Sequence, residues 1–435
     1  MAELKRHLGM WGATGIAIGA IIGAGIFVLS GVASGMAGPA VILSFLIAGI
    51  VAFLTALSSA ELSSFITEAG GSYIYTDKAF GKFLGFVVGW MQSFDYIVGA
   101  SAISVGFAGY FVYFIGIPPT AQNVIILVAI AMPFSLMLIN LKGIKEASVT
   151  NNLMVWFKGT ALTIFVLLGL YYLISHGDYS NYHPFFPKGY PGMISGAALI
   201  FFAFVGFNTI TVISEEIKEP EKNVPKSIIF AFLICTSLYI GVSVVEVGLV
   251  NWKIIGASSA PLELALTVAT GNIFILKFVA ISALFATLSA TMASILGGSR
   301  ALFAMARQRV LPGFLSNISK NGIPTSSVLA CGVAITLIII GTKGNLELIA
   351  SIFNFGTLLT FFFINLSMIQ LRKKMPDANR TFKVPLYPIP PLLGIISCFA
   401  LILFLKSNAI IAAGIWIVIG VVAYLINQQR QSKTG

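Results

Sequence analysis

The sequence predicts an all-α integral membrane protein with about twelve transmembrane helices. Of the 435 residues, 57% are hydrophobic and 9% are charged, and the mean hydropathy is +0.96. In soluble domains, by contrast, roughly a quarter of the residues are charged. Many apolar stretches also reach the roughly 20 residues with which a helix crosses a bilayer core of about 30 Å. Glycines interrupt two of these stretches, at residues 19–28 and 201–207, which makes both spans irregular.

Charged, glycine and proline residues delimit the apolar runs and so define the predicted spans. In chain order the spans are residues 10–33, 40–65, 83–115, 121–140, 148–174, 192–214, 227–250, 272–304, 325–341, 346–371, 388–405 and 408–427. An even number of spans returns both termini to the same side of the membrane.

Lysine and arginine concentrate on one side of this predicted bundle. With the N-terminus inside, twenty of them fall in cytoplasmic segments and five fall on the opposite side. Positive residues are enriched in short cytoplasmic loops, so the bias predicts cytoplasmic N- and C-termini. It also accounts for the net charge of +11 without nucleic acid, because the sequence has no basic groove with interleaved aromatics.

The two interrupted spans indicate a site inside the membrane. An unsatisfied backbone N–H or C=O costs several kcal/mol in lipid, so a spanning helix unwinds only where the freed groups face protein, water or a ligand. Interruptions at matching places in two halves of a membrane protein are typical of a transport site.

The order of the spans also predicts an internal repeat. Residues 10–174 and 192–371 form two blocks of five spans, and each block opens with an interrupted span and has its longest span third. An odd number of spans turns the second block over, so the repeat is predicted to be inverted, with residues 388–427 as two additional helices. The alternative is an unrelated bundle whose glycines only allow close helix packing.

Cysteine and histidine give no sign of a catalytic or metal site. Cys235, Cys331 and Cys398 fall within predicted spans, where a thiol usually acts as a small hydrophobe. The sequence shows no disulfide framework, zinc-ligand spacing, nucleophile–base pair or phosphate-binding Gly-Lys-Ser/Thr loop. We therefore expect no enzyme, no metal and no cofactor.

Several motifs follow one another in a specific order along almost the whole chain. They are GAIIGAGIFV from Gly19, GPA from Gly38, AE from Ala60, EAGGSYIYT from Glu68, FFAFVGFN from Phe201, EEIKEPEKNVPK from Glu215, GSRALFAMARQRVLPG from Gly298 and RTFKVPLYPIPP from Arg380. In these motifs the chain resembles the amino acid-polyamine-organocation (APC) transporter superfamily, and most closely its cationic amino acid transporter-like branch. The resemblance implies a LeuT-type five-plus-five inverted repeat with broken helices 1 and 6, and alternating-access transport of amino acids.

The resemblance also implies a substrate site at the two interruptions. The amides of Ala24 and Gly25 would bind the substrate carboxylate, because half-helix N-termini suit an anion. The carbonyls implied for the substrate amine are those of Ile21, Phe202, Ala203 and Val205. The whole predicted site comprises Ile21, Gly23, Ala24, Gly25, Phe202, Ala203, Phe204, Val205 and Gly206.

Two features of this predicted site leave alternatives open. Many relatives carry Ser or Thr where this chain has Ala24, so the backbone alone must bind the carboxylate here. Phe202 and Phe204 flank the second interruption. Either ring can close over the substrate and attract its ammonium through a cation–π interaction, or can simply pack in the core.

Lys158 and Asp95 are predicted to lie deep in the membrane. At about 1.5 Å per residue, Lys158 lies roughly 15 Å from the cytoplasmic end of its span and Asp95 roughly 18 Å from the start of its own. Ionisable residues at such depth are costly and are functional candidates. The resemblance implies that Lys158 replaces the sodium ion of sodium-coupled relatives and couples transport to protons. A snorkelling or permanently paired lysine is the alternative.

Asp95 allows three interpretations. It can pair with Lys158, neutralise a cationic substrate, or hold its helix against the bundle, and we predict a role in the proton network. Glu61 and the pair at residues 215–216 lie near predicted cytoplasmic helix ends, where gate salt bridges and solvated helix ends are both plausible. Asn208 replaces an Asp that is common in related sequences, which makes selectivity for cations less certain.

The sequence therefore predicts a secondary active transporter that imports amino acids across the cell membrane with protons as the coupling ion. The alternative is a cationic amino acid or polyamine exchanger that requires no proton. A transporter-like sensor or a membrane enzyme is disfavoured, because no large soluble domain and no catalytic cluster is present. The predicted partners are an amino acid, protons and the lipid bilayer.

Overall fold

The protein is an all-helical bundle in the computed structural model. The structure describes residues 8–66, 68, 71–118, 121–142, 147–207, 210, 217–307, 311–319 and 323–434. Within those residues no strand forms, and the one extended pairing is an isolated bridge between Leu8 and Ile217. The predicted all-α class is confirmed.

The helices follow the predicted order of spans. They are α1 Met10–Ile21, α2 Ser30–Ala37, α3 Val41–Ser63, α4 Ser72–Phe80, α5 Lys82–Phe114, α6 Gln122–Lys142, α7 Ala147–His176, α8 Gly189–Ile200, α9 Pro220–Leu249, α10 Trp252–Gly256, α11 Pro261–Ala269, α12 Ile273–Arg307, α13 Thr325–Gly341, α14 Leu346–Lys374, α15 Ile389–Leu403 and α16 Ser407–Thr434.

Length and hydropathy identify the membrane spans among these helices. In the described part of the chain, eight apolar segments are long enough to cross a membrane, and the first of them contains the first two predicted spans. Three shorter apolar helices lie at the predicted sixth, ninth and eleventh spans. The short helices α4, α10 and α11 were not predicted. They have 9, 5 and 9 residues, which is too short for a helical period to stand out in the sequence.

The first interruption divides a long helix into two arms. The arm α1 ends at Ile21, where the N–H of Ile22 still bonds to Ile18 and the N–H of Gly23 turns back to the Ile21 carbonyl at 2.8 Å. The chain resumes as a π-helical turn, Gly25–Leu29, which continues into α2. The first arm and the second arm are therefore joined by a short non-helical segment, as the glycines predicted.

The second interruption ends α8 in a different way. A 3₁₀ turn, Phe201–Phe204, follows α8, and then Val205 is extended and Gly206 has a φ of 129°. A positive φ of this kind is readily adopted only by glycine. Gly25 lies against Ala203, and Gly206 lies against Ala20, so the two interrupted helices run antiparallel. Their interruptions, which we call the first break and the second break, lie next to each other.

The long helix α5 forms the centre of the bundle, packed along α12, α14 and α6. Its glycines allow close approach of other elements, as is common where membrane helices touch. Gly99 lies under the Phe353 ring, Gly106 under Val28, and Gly109 under Ser259. Because α5 contacts elements on both sides of the breaks, it frames the space in which they lie.

A buried ion pair joins the ends of α3 and α14. The fully buried carboxylate of Glu61 accepts hydrogen bonds from Arg372 Nε at 2.7 Å and Nη2 at 2.6 Å. Arg380 Nε lies 3.3 Å from the same carboxylate, and the Val384 N–H donates to it at 2.6 Å. Of the two interpretations left open for Glu61, the structure therefore has the salt bridge. The pair at residues 215–216 and Asn208 lie outside the described residues.

Candidate functional site

A cavity of about 370 Å³ lies where the two breaks adjoin. Its walls come from the two interrupted helices, from α5, α7, α12 and α14, and from the start of α4. Apolar surface predominates, with Lys158 and Asp95 as the charged side chains on the lining. A small number of polar groups in a mostly apolar concavity is typical of a small-molecule site.

Most of the residues singled out in the sequence line this cavity. Those that do are Ile21, Gly23, Ala24, Gly25, Asp95, Lys158, Phe202, Val205 and Gly206. Ala203 and Phe204 do not. Ala203 packs against Gly25, and the Phe204 ring packs edge-on against Tyr239 with centroids 5.3 Å apart. In this conformation Phe204 thus belongs to the packed core.

Gly25 and Gly206 allow the two breaks to touch. A Cβ on Gly25 would lie 2.6 Å from the Ala203 Cα, and one on Gly206 would overlap the carbonyl of Ala20. Real Cβ atoms do not approach backbone so closely. These glycines are required first by the contact between the two helices, in addition to any close approach of a ligand.

Side chains from other helices hold the freed carbonyls of the first break. Lys158 Nζ donates to the Gly19 carbonyl at 3.3 Å, and the Tyr239 hydroxyl donates to the Ile21 carbonyl at 2.9 Å. A carbonyl oxygen has two lone pairs. The Ile21 oxygen already accepts from Tyr239 and from the Gly23 N–H, so in this conformation it has no lone pair left for a substrate amine.

A side-chain amide donates to carbonyls at the second break. Asn354 Nδ2 donates to the carbonyls of Ala198 and Leu199 at 2.8 and 2.7 Å, at the end of α8. The sequence did not reveal Asn354 or Tyr239 as site residues. The available signal was weak: each is a polar group within an apolar span, far in sequence from the break that it contacts.

The resumed helix of the first break presents backbone donors to the cavity. It begins at Gly25, Ala24 is its N-cap residue, and no side chain caps this end. The first N–H groups of a helix have no partner within the helix. Such an end suits a carboxylate.

The Phe202 ring forms part of the cavity wall beside Phe353. The two ring centroids lie 4.4 Å apart at an interplanar angle of 48°, and Phe202 is 8% exposed. Phe353 in turn rests on Gly99 of the central helix. Phe202 is therefore placed to contact a ligand, whereas its neighbour Phe204 is not.

The two charged groups of the lining face the same cavity without pairing. Lys158 is 2% exposed, and the Gly19 carbonyl is its hydrogen-bond partner. Asp95 Oδ2 accepts from Thr357 Oγ1 at 3.3 Å, while Asp95 Oδ1 is buried against Gly356 with no hydrogen-bond partner. No ion pair joins Lys158 to Asp95 in this structure.

The lining of the cavity extends toward one end of the bundle, and short helices pack over the other end. The lining continues to Ser72 at the start of α4 and to Gln92 on α5, and we call this the open end. At the closed end, α10 and α11 cover α2: Gly35 lies against Gly256 and Gly31 against Pro261.

The chain is similar in sequence to known membrane transporters. The family model described as amino acid permease matches residues 8–426. A branched-chain amino acid permease of Bacillus subtilis is 34% identical to the chain, over 99% of this chain and 95% of that protein. A methylthioribose transporter of the same organism is 31% identical over the same shares. A vacuolar cationic amino acid transporter of Arabidopsis thaliana is 33% identical, over 86% of this chain and 64% of that protein.

Proposed function

Because the chain belongs to the amino acid permease family, we propose that it imports amino acids across the cell membrane by alternating access, with a proton as the coupling ion. Membership confirms the resemblance that the motifs carried. It makes the chain a multi-pass membrane protein that transports amino acids, rather than an enzyme. Coupling, direction, location and the residues that bind substrate are the proposed part.

The observation that best supports a substrate site at this place is the meeting of the two breaks in one cavity. The uncapped start of the helix at Gly25 offers N–H groups, which suit the carboxylate of an amino acid. Carbonyls at the ends of α1 and α8 suit its ammonium. We propose that Ala24 and Gly25 bind the carboxylate and that Phe202 covers the bound molecule. The substrate amine would then bind carbonyls of the second break, or the Ile21 carbonyl once the Tyr239 hydroxyl no longer donates to it.

Lys158 is our candidate for proton coupling. Its amine bonds to the Gly19 carbonyl at the end of the first arm, so its charge acts directly on the break. A protonated amine makes a charge-assisted hydrogen bond, which is roughly twice as strong as a neutral one. Loss of the proton therefore weakens the hold on α1. A proton can shift an equilibrium between two states only by binding one of them more tightly, and this contact supplies such a difference.

Uptake into proteoliposomes under an imposed pH gradient tests this role. Lys158→Ala should lose accumulation driven by the gradient while it keeps exchange and some binding, because the proposed amino acid contacts lie elsewhere. Lys253→Ala removes an exposed lysine and serves as the matched control. If Lys158→Ala still accumulates substrate in response to the gradient, the proton travels by another route, and Asp95 is the next candidate.

The substrate can be identified separately with the purified protein. A ligand that binds only the folded state raises the melting temperature by mass action. We expect at least one amino acid to do so in a screen that also includes polyamines and methylthioribose. A shift with methylthioribose alone would contradict the amino acid substrate.

We further propose cytoplasmic termini and an inverted repeat of residues 10–174 and 192–371. The charge bias supports the orientation, and the antiparallel breaks support the repeat. Cysteines at Lys343 and Lys406, which are exposed, should react with an impermeant reagent outside intact cells. Cysteines at the exposed Lys222 and Lys373 should not. The reverse labelling would overturn the orientation.

One observation favours a second candidate, the exchange of cationic amino acids or polyamines without a proton. Asp95 lines the cavity with one oxygen unpartnered, so its carboxylate could balance a cationic side chain. This candidate predicts that arginine or lysine inside proteoliposomes stimulates uptake of the same substrate without a pH gradient. It also predicts that Asp95→Asn removes this stimulation while uptake of neutral amino acids continues.

A further inference from the structure

Four buried polar oxygens without a hydrogen-bond partner lie at the closed end of the bundle, on or beside α2, α9 and α11, outside the lining of the cavity. They are Ser34 Oγ, Glu246 Oε2, Ser259 Oγ and Glu263 Oε2. Ser34 follows Ser30 by one helical turn on the same face of α2, and Ser30 contacts Glu246. Buried polar groups are nearly always satisfied in native proteins, so a group of unsatisfied ones requires an explanation.

Glu246 is the most constrained member of this group. It is fully buried on α9, and its Oε1 accepts a hydrogen bond from Ser30 Oγ at 3.2 Å. Among the residues that the structure describes, no ion pair includes Glu246 or Glu263. An ionised carboxylate buried without a cation carries an uncompensated desolvation cost of several kcal/mol. Glu61, buried to the same extent, differs because Arg372 neutralises it.

Two neighbouring tyrosines donate their hydroxyl protons to backbone carbonyls and not to Glu246. Tyr110 of α5 is close enough to both carboxylates to sense their charge, but its hydroxyl donates to the Phe27 carbonyl at 2.7 Å. Tyr182, before α8, donates its hydroxyl proton to the Val244 carbonyl at 2.9 Å. Tyr113 of α5 is close enough to Glu263 to sense its charge. Protonation would neutralise Glu246 without any partner from the described residues.

Glu263 supports the same conclusion from the short helix α11, which lies between two spans. Burial raises the pKa of its carboxyl to about 7. A raised pKa means that the closed structure favours the neutral carboxylic acid.

We propose that the closed end of the bundle contains a proton-binding site centred on Glu246, and that an occupied site stabilises closure of that end. The proposal rests on the alternating access of the proposed function, because only a site that opens and closes can use such a device. Glu246 would be a second proton-binding residue besides Lys158, at the closed end of the bundle.

Hydration of Glu246 determines how closure of this end depends on pH. Opening this end separates α2 and α11 from α5 and lets water reach Glu246, which favours its ionised form. The closed state therefore binds the proton more tightly than the open state does. Closure is favoured at low pH and weakens as pH rises, by up to about tenfold in the closed-to-open ratio per pH unit.

A cysteine reporter at Val28 measures closure without any assumption about orientation. Val28 is 4% exposed and packs against Gly106 of α5, so Val28→Cys is shielded while this end is closed. Labelling of the purified protein by a water-soluble thiol reagent is followed from about pH 5.5 to about pH 8.5, a range in which a buried carboxyl can gain or lose its proton. The exposed Lys253→Cys corrects for the thiolate fraction, which itself rises with pH.

We expect the corrected labelling rate to rise with pH by about tenfold or more over this range. In Glu246→Gln, a neutral amide replaces the protonated acid, and labelling should stay low at every pH. Glu246→Leu, which is also uncharged, serves if the amide is not accommodated. Amino acid binding, measured by thermal shift on the same variants, should persist. If the unmodified protein binds no amino acid, that result contradicts the proposed function and not the proton site.

Two results would overturn the proposal. An unchanged pH profile in both Glu246 variants would place the titrating group elsewhere, with Glu263→Gln as the variant that identifies it. Protection of the reporter at high pH by sodium, absent in Glu246→Gln, would mean that the site holds a metal cation instead of a proton.

Discussion

Both breaks are interruptions of a helix, but different side-chain groups donate hydrogen bonds to their carbonyls. At the first break, freed carbonyls accept hydrogen bonds from the Lys158 amine and the Tyr239 hydroxyl. At the second break, the carbonyls of Ala198 and Leu199 accept from the Asn354 amide. An amide has no titratable proton, whereas a lysine amine does, and burial makes that proton easier to lose.

This difference divides the work of the site between the two helices. The hold on the first break can be strengthened or weakened by one proton, so that break is suited to movement coupled to an ion. The hold on the second break does not change with pH, so it can act as a fixed reference for the substrate. The hydrogen bonds at the first break then respond to protonation, and those at the second break do not.

The largest effect is expected where backbone geometry itself maintains the second break. Gly206→Ala forces a side chain onto a φ of 129° and into the carbonyl of Ala20. Such strain costs about 1–3 kcal/mol before the steric overlap is added. We expect a severe loss of folded protein, measured as yield and melting temperature after purification.

Gly15→Ala is the matched control for that substitution. Gly15 lies in α1, and a Cβ there would meet nothing within 4 Å. Alanine favours a helix over glycine by about 1 kcal/mol, so this variant should be as stable as the parent or more so. Equal tolerance of both substitutions would show that contact between the breaks is dispensable.

An intermediate effect is expected from the amide that holds the second break. Asn354→Ala removes the side-chain donor to two buried carbonyls, of which Leu199 keeps the Phe201 N–H, at a cost of about 2 kcal/mol. Because the proposed site requires the break in this conformation, amino acid binding should weaken by up to roughly thirtyfold. The loss should be the same at every pH, because the amide does not titrate. Binding by titration calorimetry at several pH values measures it.

Ser351→Ala provides the comparison on the same helix. Ser351 Oγ bonds to the Glu347 carbonyl within α14 and contacts neither break. This variant should bind amino acids normally. A pH-dependent defect in Asn354→Ala would remove the distinction between the two breaks.

The smallest effect is expected from Tyr239→Phe, which removes one hydroxyl and keeps the ring that packs against Phe45 and Phe204. A single neutral hydrogen bond contributes about 1 kcal/mol, so KM should change by about fivefold while kcat changes little. If the Ile21 carbonyl must be released to bind the substrate amine, KM falls. If Tyr239 positions the break for binding, KM rises.

Tyr182→Phe separates these outcomes from a general loss of stability. Its hydroxyl bonds to the Val244 carbonyl, away from the cavity, so the variant should lose comparable stability without a change in KM. An unchanged KM in Tyr239→Phe would mean that this hydroxyl is only structural. Lys158 would then be the one side chain that adjusts the first break.

The sequence by itself determined the class of the fold, the order of the spans and the position of both interruptions. Each of these depends on local properties: the length of an apolar run, the place of a glycine, and the cost of bare backbone in lipid. The depth of Lys158 and Asp95 followed in the same way, from counting residues along a helix. The motifs added the family, which the comparisons then confirmed.

Only the tertiary structure decided which groups meet. Lys158 and Asp95 line one cavity but do not pair, and Phe204 and Ala203 face away from that cavity although their neighbours line it. Whether Glu61 finds an arginine and Glu246 does not is likewise invisible in the sequence. Hydrogen bonds and ion pairs act over a few ångströms, and these partners lie far apart along the chain. Their contacts are set by how the helices rotate and cross when they pack, which no local pattern records.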